Sequence, residues 1–219
     1  MNQAIELKRK YVQAREKLFS TLISNNDGVQ FNRNHTLLVD QIVIELVKKI
    51  LNNYPVSNFT LIAVGGYGRQ DLSPKSDVDL LFLYQKSNKN IREFITALNN
   101  SLWDLGLEVG ISFLTLKQAI IDSKKDIKTV TKFAESRNLI GDEDYYGEFV
   151  RSIKILIGKL NSLKLSEKKL LELVGRHDYY LGIKSNLEPQ IKEGIGGLRD
   201  IHTIIWVSVF MFNVLKLED

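Results

Sequence analysis

The sequence predicts an α/β (α+β) fold, in which a small mixed β-sheet core is preceded by helices and followed by a helical domain. Apolar residues recur at helical spacing near the start of the chain and throughout its second half. Between these regions lie short segments rich in β-branched and aromatic residues, bounded by Gly, Pro, Ser and Asn, as is typical of buried strands. We therefore predict an N-terminal helical segment over residues 1–57, the sheet core over 58–123 and the helical domain over 124–219.

Two predicted helices precede the sheet. The apolar spacing predicts a first helix that ends at the polar sequence SNNDG, residues 24–28, and a second helix over residues 36–51. Pro55 cannot continue the second helix, because it lacks a backbone N–H and its ring clashes with the preceding turn.

The sheet and the later helices follow in order. Strands are predicted over residues 59–64, 77–84 and 107–116. Before the third strand, residues 90–106 have helical spacing, with Asn90 as the N-cap and Gly106 at the C-terminal end. Further helices are predicted over residues 117–123, 126–140, 142–160, 167–184 and 198–215.

The composition narrows the class of protein. The 219 residues are 44% hydrophobic and 26% charged, which is typical of a globular domain, and no apolar run is long enough to cross a membrane. Without cysteine, disulfides and thiolate metal sites are excluded, so we expect a cytoplasmic protein. The net charge of +4 favours anionic ligands, but 26 acidic residues offset 30 basic ones without a dense basic run, so a nucleic-acid partner is not expected.

The sequence LIAVGGYGRQDLSPKSDVDLLFLY, residues 61–84, carries the strongest chemical signal. Gly65, Gly66 and Gly68 directly follow a predicted strand, where backbone N–H groups without a neighbouring Cβ can turn toward an anion. It is not a P-loop, because GxxxxGK[ST] is missing, and Asp71 stands where a dinucleotide-binding motif has its third glycine. The glycines therefore predict a phosphate-binding loop of another kind.

Two aspartates open the second strand of this motif. Side chains on a strand alternate between its faces, so Asp77 and Asp79 point the same way, about 7 Å apart, while Val78 faces the core. Two such carboxylates suit a hard cation such as Mg²⁺, which also takes phosphate oxygens and water. A hairpin with a glycine turn and two surface aspartates is the simpler alternative, but the motif as a whole favours a site for a nucleoside triphosphate.

The motif resembles known proteins at two levels. The hydrophobic-Gly-Gly sequence followed by Asp-x-Asp resembles nucleotidyltransferases of the polymerase-β type, which implies a third carboxylate on a later strand. Glu108 is the candidate for it, and Asp104, at the end of the predicted helix, is its rival. More closely, the chain resembles the bifunctional uridylyltransferase/uridylyl-removing enzymes that modify the PII nitrogen-signalling protein. That resemblance lies in GGYGRQDLSPKSDVDLLFL, LWDLGLEVG, ESRNLIGD and NLEPQIKEGIGGLRDIHTIIW, which occur in this order.

The resemblance implies an activity and a set of site residues. The implied reaction is the Mg²⁺-dependent transfer of UMP from UTP to a tyrosine of PII, with release of pyrophosphate. Two Mg²⁺ ions would be held by Asp77, Asp79 and Glu108, the expected catalytic and metal-binding residues. The expected nucleotide-binding residues are Gly65, Gly66, Arg69, Ser76, Lys192 and Arg199.

Departures from the family keep two alternatives open. Where that family has His-Ser-Val-Arg-Thr after LEVG, this chain has Ile111 and Leu114 in place of the histidine and the arginine. An enzyme of the same fold with another acceptor is therefore one alternative, and a non-catalytic binding module is the other. The family continues into an HD-type phosphohydrolase domain, and we expect the helical domain to stop before it.

The remaining histidines and tryptophans are predicted to have structural roles. His177 and Asp178 spell HD, but no second histidine cluster accompanies them, so we interpret them as helix surface or domain packing. His35 and His202 are expected in packing or surface positions. Trp103 and Trp206 lie in apolar helical settings and are expected in the core.

Overall fold

The computed structural model describes residues 2–182 and 190–212, which form helices around one central sheet. The helices are α1 (Asn2–Asn25), α2 (Gly28–Asn53), α3 (Gly65–Gly68), α4 (Lys89–Leu105), α5 (Leu116–Lys125), α6 (Ile127–Ala134), α7 (Glu143–Lys159), α8 (Ser162–Gly182) and α9 (Leu198–Phe212). The strands are β1 (Phe59–Val64), β2 (Val78–Tyr84), β3 (Val109–Leu114) and β4 (Ser136–Gly141). None of the helices in this part of the chain is both long and apolar enough to cross a membrane.

The sheet is mixed and has the strand order β3-β2-β1-β4. β1 runs antiparallel to both β2 and β4, whereas β2 and β3 are parallel and are connected by α4. Every residue of β1 is buried, because helices cover both faces of the sheet. The predicted fold class, with a small mixed sheet between helices, is confirmed.

The edge strand β4 corrects the prediction of one helix over residues 126–140. The helical part ends at Ala134, and residues from Ser136 onward pair with β1, with Leu61 opposite Ile140. The apolar spacing of Leu139 and Ile140 is compatible with a helix or a strand. Pairing with β1, some 75 residues earlier in the chain, decides between the two. The domain boundary at residue 123 stays a prediction, and β4 lies beyond it.

Capping residues correct two helix starts. The side chain of Asn88, not Asn90, caps α4 by accepting from the backbone N–H of Ile91 at 2.9 Å. Asp27 caps α2, so that helix starts at Gly28 rather than at residue 36. The predicted ends are confirmed: Gly106 closes α4 with φ of 76°, and α2 stops at Asn53 before the proline. Predicted helical residues 183–184 and 213–215 lie outside the described residues.

The core consists of two apolar clusters, one on each face of the sheet. α1, α2 and α4 cover one face, and α6, α7 and α9 cover the other. Trp206 belongs to the second cluster, as predicted, and is 7% exposed. The prediction for Trp103 is wrong, because Leu102 and Leu105 occupy the buried face of α4 and leave the Trp103 side chain 74% exposed.

Candidate active site

The glycine motif forms the single-turn helix α3 at the end of β1 rather than an extended loop. Gly65 has φ of 61°, which favours glycine, and a Cβ there would lie 3.6 Å from Oδ2 of Asp79. A Cβ on Gly68 would collide with the backbone carbonyl oxygen of Glu135. The small residues therefore let α3 approach both the start of β2 and the start of β4.

Asp77 and Asp79 lie where β2 begins, as predicted. Asp77 is exposed, Asp79 is half-buried, and Val78 between them faces the core. Oδ1 of Asp79 accepts a hydrogen bond from Nζ of Lys132 on α6 at 2.8 Å. A Cβ on Gly110 of β3 would lie only 2.9 Å from the same oxygen. Asp79 is therefore approached by a lysine on one side and by a strand without a side chain on the other.

Glu108 immediately precedes β3 and lies beside the two aspartates. Its backbone carbonyl accepts from the N–H of Val78 at 2.7 Å, which continues the parallel pairing of β2 and β3. Its side chain is exposed and lines a cavity of about 350 Å³ together with Asp77 and Asp79. Asp104, the rival candidate, is exposed and lines neither this cavity nor the larger one beside it.

A larger cavity of about 900 Å³ lies on the other side of Asp77 and Asp79. Its wall also includes Gly65, Gly66 and Ser76, three of the predicted nucleotide-binding residues. Seven basic residues line it: Arg69, Lys75, Lys128, Lys132, Lys169, Lys192 and Arg199. Four of these cations form ion pairs with acidic residues of the same wall: Arg69 with Glu135, Lys132 with Asp79, Lys169 with Glu172, and Arg199 with Glu193. Such a wall can exchange carboxylate partners for the oxygens of a triphosphate.

Arg69 is held in place by two partners. Its guanidinium forms an ion pair with Glu135, and Nη2 donates to Nε2 of His202 at 3.1 Å. Arginine can only donate, so this ring nitrogen of His202 is an acceptor. Burial lowers the pKa of His202 to about 4, and the charges of Arg69 and Arg199 act in the same direction. Arg69 is therefore part of the cavity wall, and the hydrogen bond that it donates to the neutral imidazole of His202 holds its guanidinium in position.

Glu135 connects the sheet to α9. Its Oε1 accepts from the indole N–H of Trp206 at 2.7 Å, while Oε2 faces Arg69. Burial raises the pKa of Glu135, and the ion pair with Arg69 and the bond from Trp206 oppose that rise. The aromatic ring of Trp206 also lies 4.4 Å below Nζ of Lys169, which is a cation–π contact.

The turn before α9 and the first turn of α9 contribute the last predicted residues of the site. Lys192 and Arg199 both line the larger cavity, and the backbone N–H of Arg199 donates to the carbonyl of Lys192 at 2.9 Å. The guanidinium of Arg199 pairs with Glu193 at 3.0 Å. Residues 186–189, with which the corresponding sequence motif begins, lie outside the described residues.

The cavity residues that were not predicted as site residues include Lys132, Glu135, His202 and Trp206. Glu135 lies in the motif ESRNLIGD, and His202 and Trp206 lie in the last motif, so the resemblance could have indicated them. Lys132 is one of several lysines on an amphipathic segment, and only its contact with Asp79 distinguishes it. His177, by contrast, bonds to Asp200 between α8 and α9, and His35 bonds to Tyr11 and the Leu72 carbonyl; both are packing residues, as predicted.

Two family profiles match the chain. Residues 43–138 match the nucleotidyltransferase domain, and residues 164–219 match the GlnD PII-uridylyltransferase family. A bifunctional uridylyltransferase/uridylyl-removing enzyme of Chromobacterium violaceum is 34% identical over 197 residues, which are 90% of this chain. Enzymes of the same name from Erythrobacter litoralis and Ectopseudomonas mendocina are 32% and 34% identical over 94% and 96% of the chain. The chain belongs to this family.

The chain covers only part of the family's length. It spans 22% of the Chromobacterium violaceum relative and 23% of each of the other two. Within this uridylyltransferase-family chain, the matched nucleotidyltransferase domain contains Gly65, Asp77, Asp79 and Glu108. The second match contains the turn before α9 and the cavity-facing part of α9.

The carboxylates of this family member fit a hard divalent cation. Asp77 and Asp79 supply oxygen donors at one edge of the sheet, and Gly65 and Gly110 leave space beside Asp79 that side chains would fill. Over residues 2–182 and 190–212, no three acidic or histidine side chains lie close enough together to form a complete metal site. That arrangement suits Mg²⁺, which binds through one or two carboxylates and completes its shell with phosphate oxygens and water.

Proposed function

We propose that this chain transfers UMP from UTP to a tyrosine hydroxyl of a PII-type signal protein and releases pyrophosphate. The observation that carries the proposal is that Asp77 and Asp79 form a wall shared by a large basic cavity and a second cavity lined by Glu108. The uridylyltransferase relatives indicate UTP as the nucleotide, and the PII-uridylyltransferase family indicates PII as the acceptor.

The larger cavity is the proposed site for the triphosphate. The backbone N–H groups of Gly65 and Gly66 would donate to phosphate oxygens, as those of short glycine turns do. Arg69 would add a bidentate donor, already aligned by Glu135 and His202. Lys192, from the turn before α9, and Arg199, from the start of α9, would also bind the nucleotide. Ser76, next to Asp77 on the cavity wall, would donate its hydroxyl.

Asp77 and Asp79 would hold Mg²⁺, with Glu108 as a further carboxylate on the side of the smaller cavity. When bound, Mg²⁺ withdraws charge from the phosphate oxygens and lowers the pKa of a neighbouring hydroxyl. The three carboxylates themselves fix the place where the acceptor and the α-phosphate meet. Lys132 forms an ion pair with Asp79 from the side of the larger cavity.

The proposed transfer is one substitution at the α-phosphorus. The phenolic oxygen of the acceptor tyrosine forms a bond to the α-phosphorus as the bond to the oxygen bridging the α- and β-phosphates breaks. Pyrophosphate leaves with that electron pair, and the phenolic proton passes to water. The products are uridylylated tyrosine, pyrophosphate and a proton, so no further reactant is needed.

The test is a transfer assay with Mg²⁺, each of the common nucleoside triphosphates labelled at the α-phosphate, and a PII-type protein. We expect label on PII with UTP and none with the doubly substituted Asp77→Asn/Asp79→Asn chain. The matched control is Asp104→Asn, which changes an exposed aspartate outside both cavities. Transfer by the doubly substituted chain would contradict the assigned site.

A second candidate function is transfer to a different acceptor. Ile111 and Leu114 replace a histidine and an arginine of the family's pattern, and both pack against the apolar clusters rather than offering polar groups. Metal-dependent binding of UTP without transfer to PII would favour this alternative. Nucleotide binding itself is measured as thermal stabilisation. A UTP concentration of 100 times Kd should add about 2.7 kcal/mol to the free energy of unfolding.

A further inference from the structure

The smaller cavity differs in chemistry from the larger one, although both share Asp77 and Asp79. Among the residues that the structure describes on its wall, none is basic. Trp103, Leu107 and Val109 provide apolar surface, and Glu108 adds a third carboxylate. From this contrast we propose that the smaller cavity is the acceptor site, and that it binds an uncharged aromatic side chain bearing a hydroxyl, with Trp103 as its main contact. The inference rests on the proposed function and specifies where its acceptor docks.

The first argument is the geometry of phosphoryl transfer. The attacking oxygen and the leaving oxygen lie roughly in line on opposite sides of the phosphorus. The basic cavity suits the departing pyrophosphate, so the acceptor must reach the shared carboxylates from the other side. The smaller cavity opens on that side, because β2, with Asp79, lies between β3, which lines the smaller cavity, and β1, whose end leads into the glycine turn of the larger cavity.

The second argument is the exposure of Trp103. Its indole is 74% exposed, although it lies between Leu102 and Leu105, which are almost completely buried. Tryptophan is enriched among the residues that dominate binding energy, because it offers a large apolar surface that is released from water on contact. An indole at the rim of a site, adjacent to Glu108, is suited to stack against an aromatic ring of a partner.

The third argument is charge. Lys132, the ion-pair partner of Asp79, lines the larger cavity, and the described wall of the smaller cavity has no basic side chain that could pair with an anionic acceptor such as a phosphorylated residue or an RNA end. A phenol is uncharged, so its ring can contact Trp103 and Leu107 while its hydroxyl points to the carboxylates. A tyrosine side chain of an acceptor protein has this chemistry.

The first experiment measures occupancy without requiring turnover. Acrylamide, an uncharged quencher, should quench the fluorescence of Trp103 in the free chain, whereas Trp206 is only 7% exposed and should be protected. The probe is a PII-type protein in which any tryptophan has been replaced by phenylalanine. We expect it to reduce quenching toward that of a buried indole, in the presence of Mg²⁺ and a UTP analogue that cannot be cleaved between the α- and β-phosphates. Unchanged quenching, or protection by the nucleotide alone, would overturn the assignment.

The second experiment separates acceptor binding from nucleotide binding. Trp103→Ala should raise the KM for the acceptor about tenfold, the effect of losing a principal contact. It should leave the KM for UTP and the thermal stabilisation by UTP and Mg²⁺ unchanged. Trp103→Phe should restore most of the acceptor affinity. Lys192→Ala should show the reverse pattern, with a higher KM for UTP alone.

The matched control is Ile23→Ala, which removes an exposed apolar side chain on α1 that lines neither cavity. It should change none of these constants. If the unsubstituted chain transfers UMP and Trp103→Ala has the same acceptor KM, the acceptor site is wrong while the proposed function stands. If the unsubstituted chain transfers nothing to PII, the proposed acceptor is wrong, and the quenching result alone decides whether an aromatic hydroxyl compound binds beside Trp103. In that case the probe is N-acetyltyrosinamide, and its failure to protect Trp103 would reject the site.

Discussion

Asp79 shows how single residues shape the site. Its carboxylate accepts from Lys132 and has Gly65 and Gly110 on its other sides. The two glycines keep that approach open, while the lysine balances the charge of a carboxylate that is only half-buried. The access of Asp79 to other ligands therefore depends on the size of residue 110 as much as on its own side chain.

The space beside Asp79 can be tested with Gly110→Ala. The added Cβ would lie 2.9 Å from Oδ1 of Asp79 and would displace the carboxylate. Metal-dependent binding of UTP should weaken, while the melting temperature without ligand changes little. Gly28→Ala is the control, because nothing lies within 4 Å of a Cβ there. Equal UTP affinity in both variants would show that Asp79 tolerates the crowding.

His202 predicts a pH dependence of stability. Its pKa falls from 6.5 to about 4 in the folded chain, so the unfolded chain binds more protons between these pH values. The free energy of unfolding should therefore decrease as the pH falls through this interval. Burial raises the pKa of Glu135 above its ordinary value of 4.5, so its protonation should increase the free energy of unfolding as the pH falls toward 4.5.

The comparison that isolates His202 is urea unfolding of the unsubstituted chain and of His202→Gln at several pH values. The variant should lose less stability on acidification, because glutamine does not titrate. Parallel pH profiles for the two chains would contradict the low pKa. Both chains retain Glu135, so the titration of Glu135 largely cancels when the two pH profiles are subtracted.

At the scale of elements, α3 links two strands that meet only in the folded molecule. It follows β1 directly, and its last residue, Gly68, touches the backbone of Glu135 just before β4. A glycine there is required by this close approach and not by its backbone dihedral angles. The position of α3, and with it Arg69, depends on β4 joining the sheet.

Gly68→Ala tests this close approach. Because the new Cβ would meet backbone rather than a flexible side chain, we expect a loss of about 1–3 kcal/mol in the free energy of unfolding. The control is Gly175→Ala within α8, where nothing lies within 4 Å. A helix-interior glycine of this kind should gain about 0.5–1 kcal/mol on replacement by alanine. Urea denaturation measures the free energy of unfolding of both variants. Equal values for the two would contradict the close approach of Gly68 to Glu135.

At the scale of the whole molecule, α9 closes the basic cavity against the sheet. Trp206, Val209 and Phe210 of α9 belong to the apolar cluster on that face, and Trp206 also bonds to Glu135. Glu135 thus joins α9, through Trp206, to α3, through Arg69. Arg199 lies in the first turn of α9 and is placed by this packing, and its backbone N–H bonds to the carbonyl of Lys192 in the turn before the helix.

Glu135→Gln should weaken the attachment of α9. The substitution retains an acceptor for the Trp206 N–H but removes the charge that Arg69 faces, so we expect a loss of about 1–3 kcal/mol in the free energy of unfolding. Glu148→Gln changes an exposed acidic residue of α7 and should stay within about 0.5 kcal/mol of the unsubstituted chain.

A double-mutant cycle with Trp206→Phe measures the connection directly. Glu135 bonds to both Trp206 and Arg69, so the two substitutions should be non-additive by about 0.5–3 kcal/mol. Additive losses would show that α9 is held by apolar packing alone.

Local sequence was sufficient to predict the fold class, three of the four described strands and the approximate extent of most helices. Those features depend on local periodicity, on Pro55 and Gly106, and on the alternation of side chains along β2. The clustering of Asp77, Asp79 and Gly65 was also predictable, since all lie at adjoining ends of two neighbouring strands.

The remaining features depend on contacts between segments that are distant in sequence. Residues 136–141 form a strand because β1 offers them backbone hydrogen bonds, a contact that no local pattern contains. Trp103 is exposed because the leucines beside it fill the buried face of α4. Lys132 and His202 enter the site from segments 53 and 133 residues away from their partners. Local sequence determines the spacing of apolar residues along a helix or strand. Packing and strand pairing between distant segments determine which side chains of different elements come into contact.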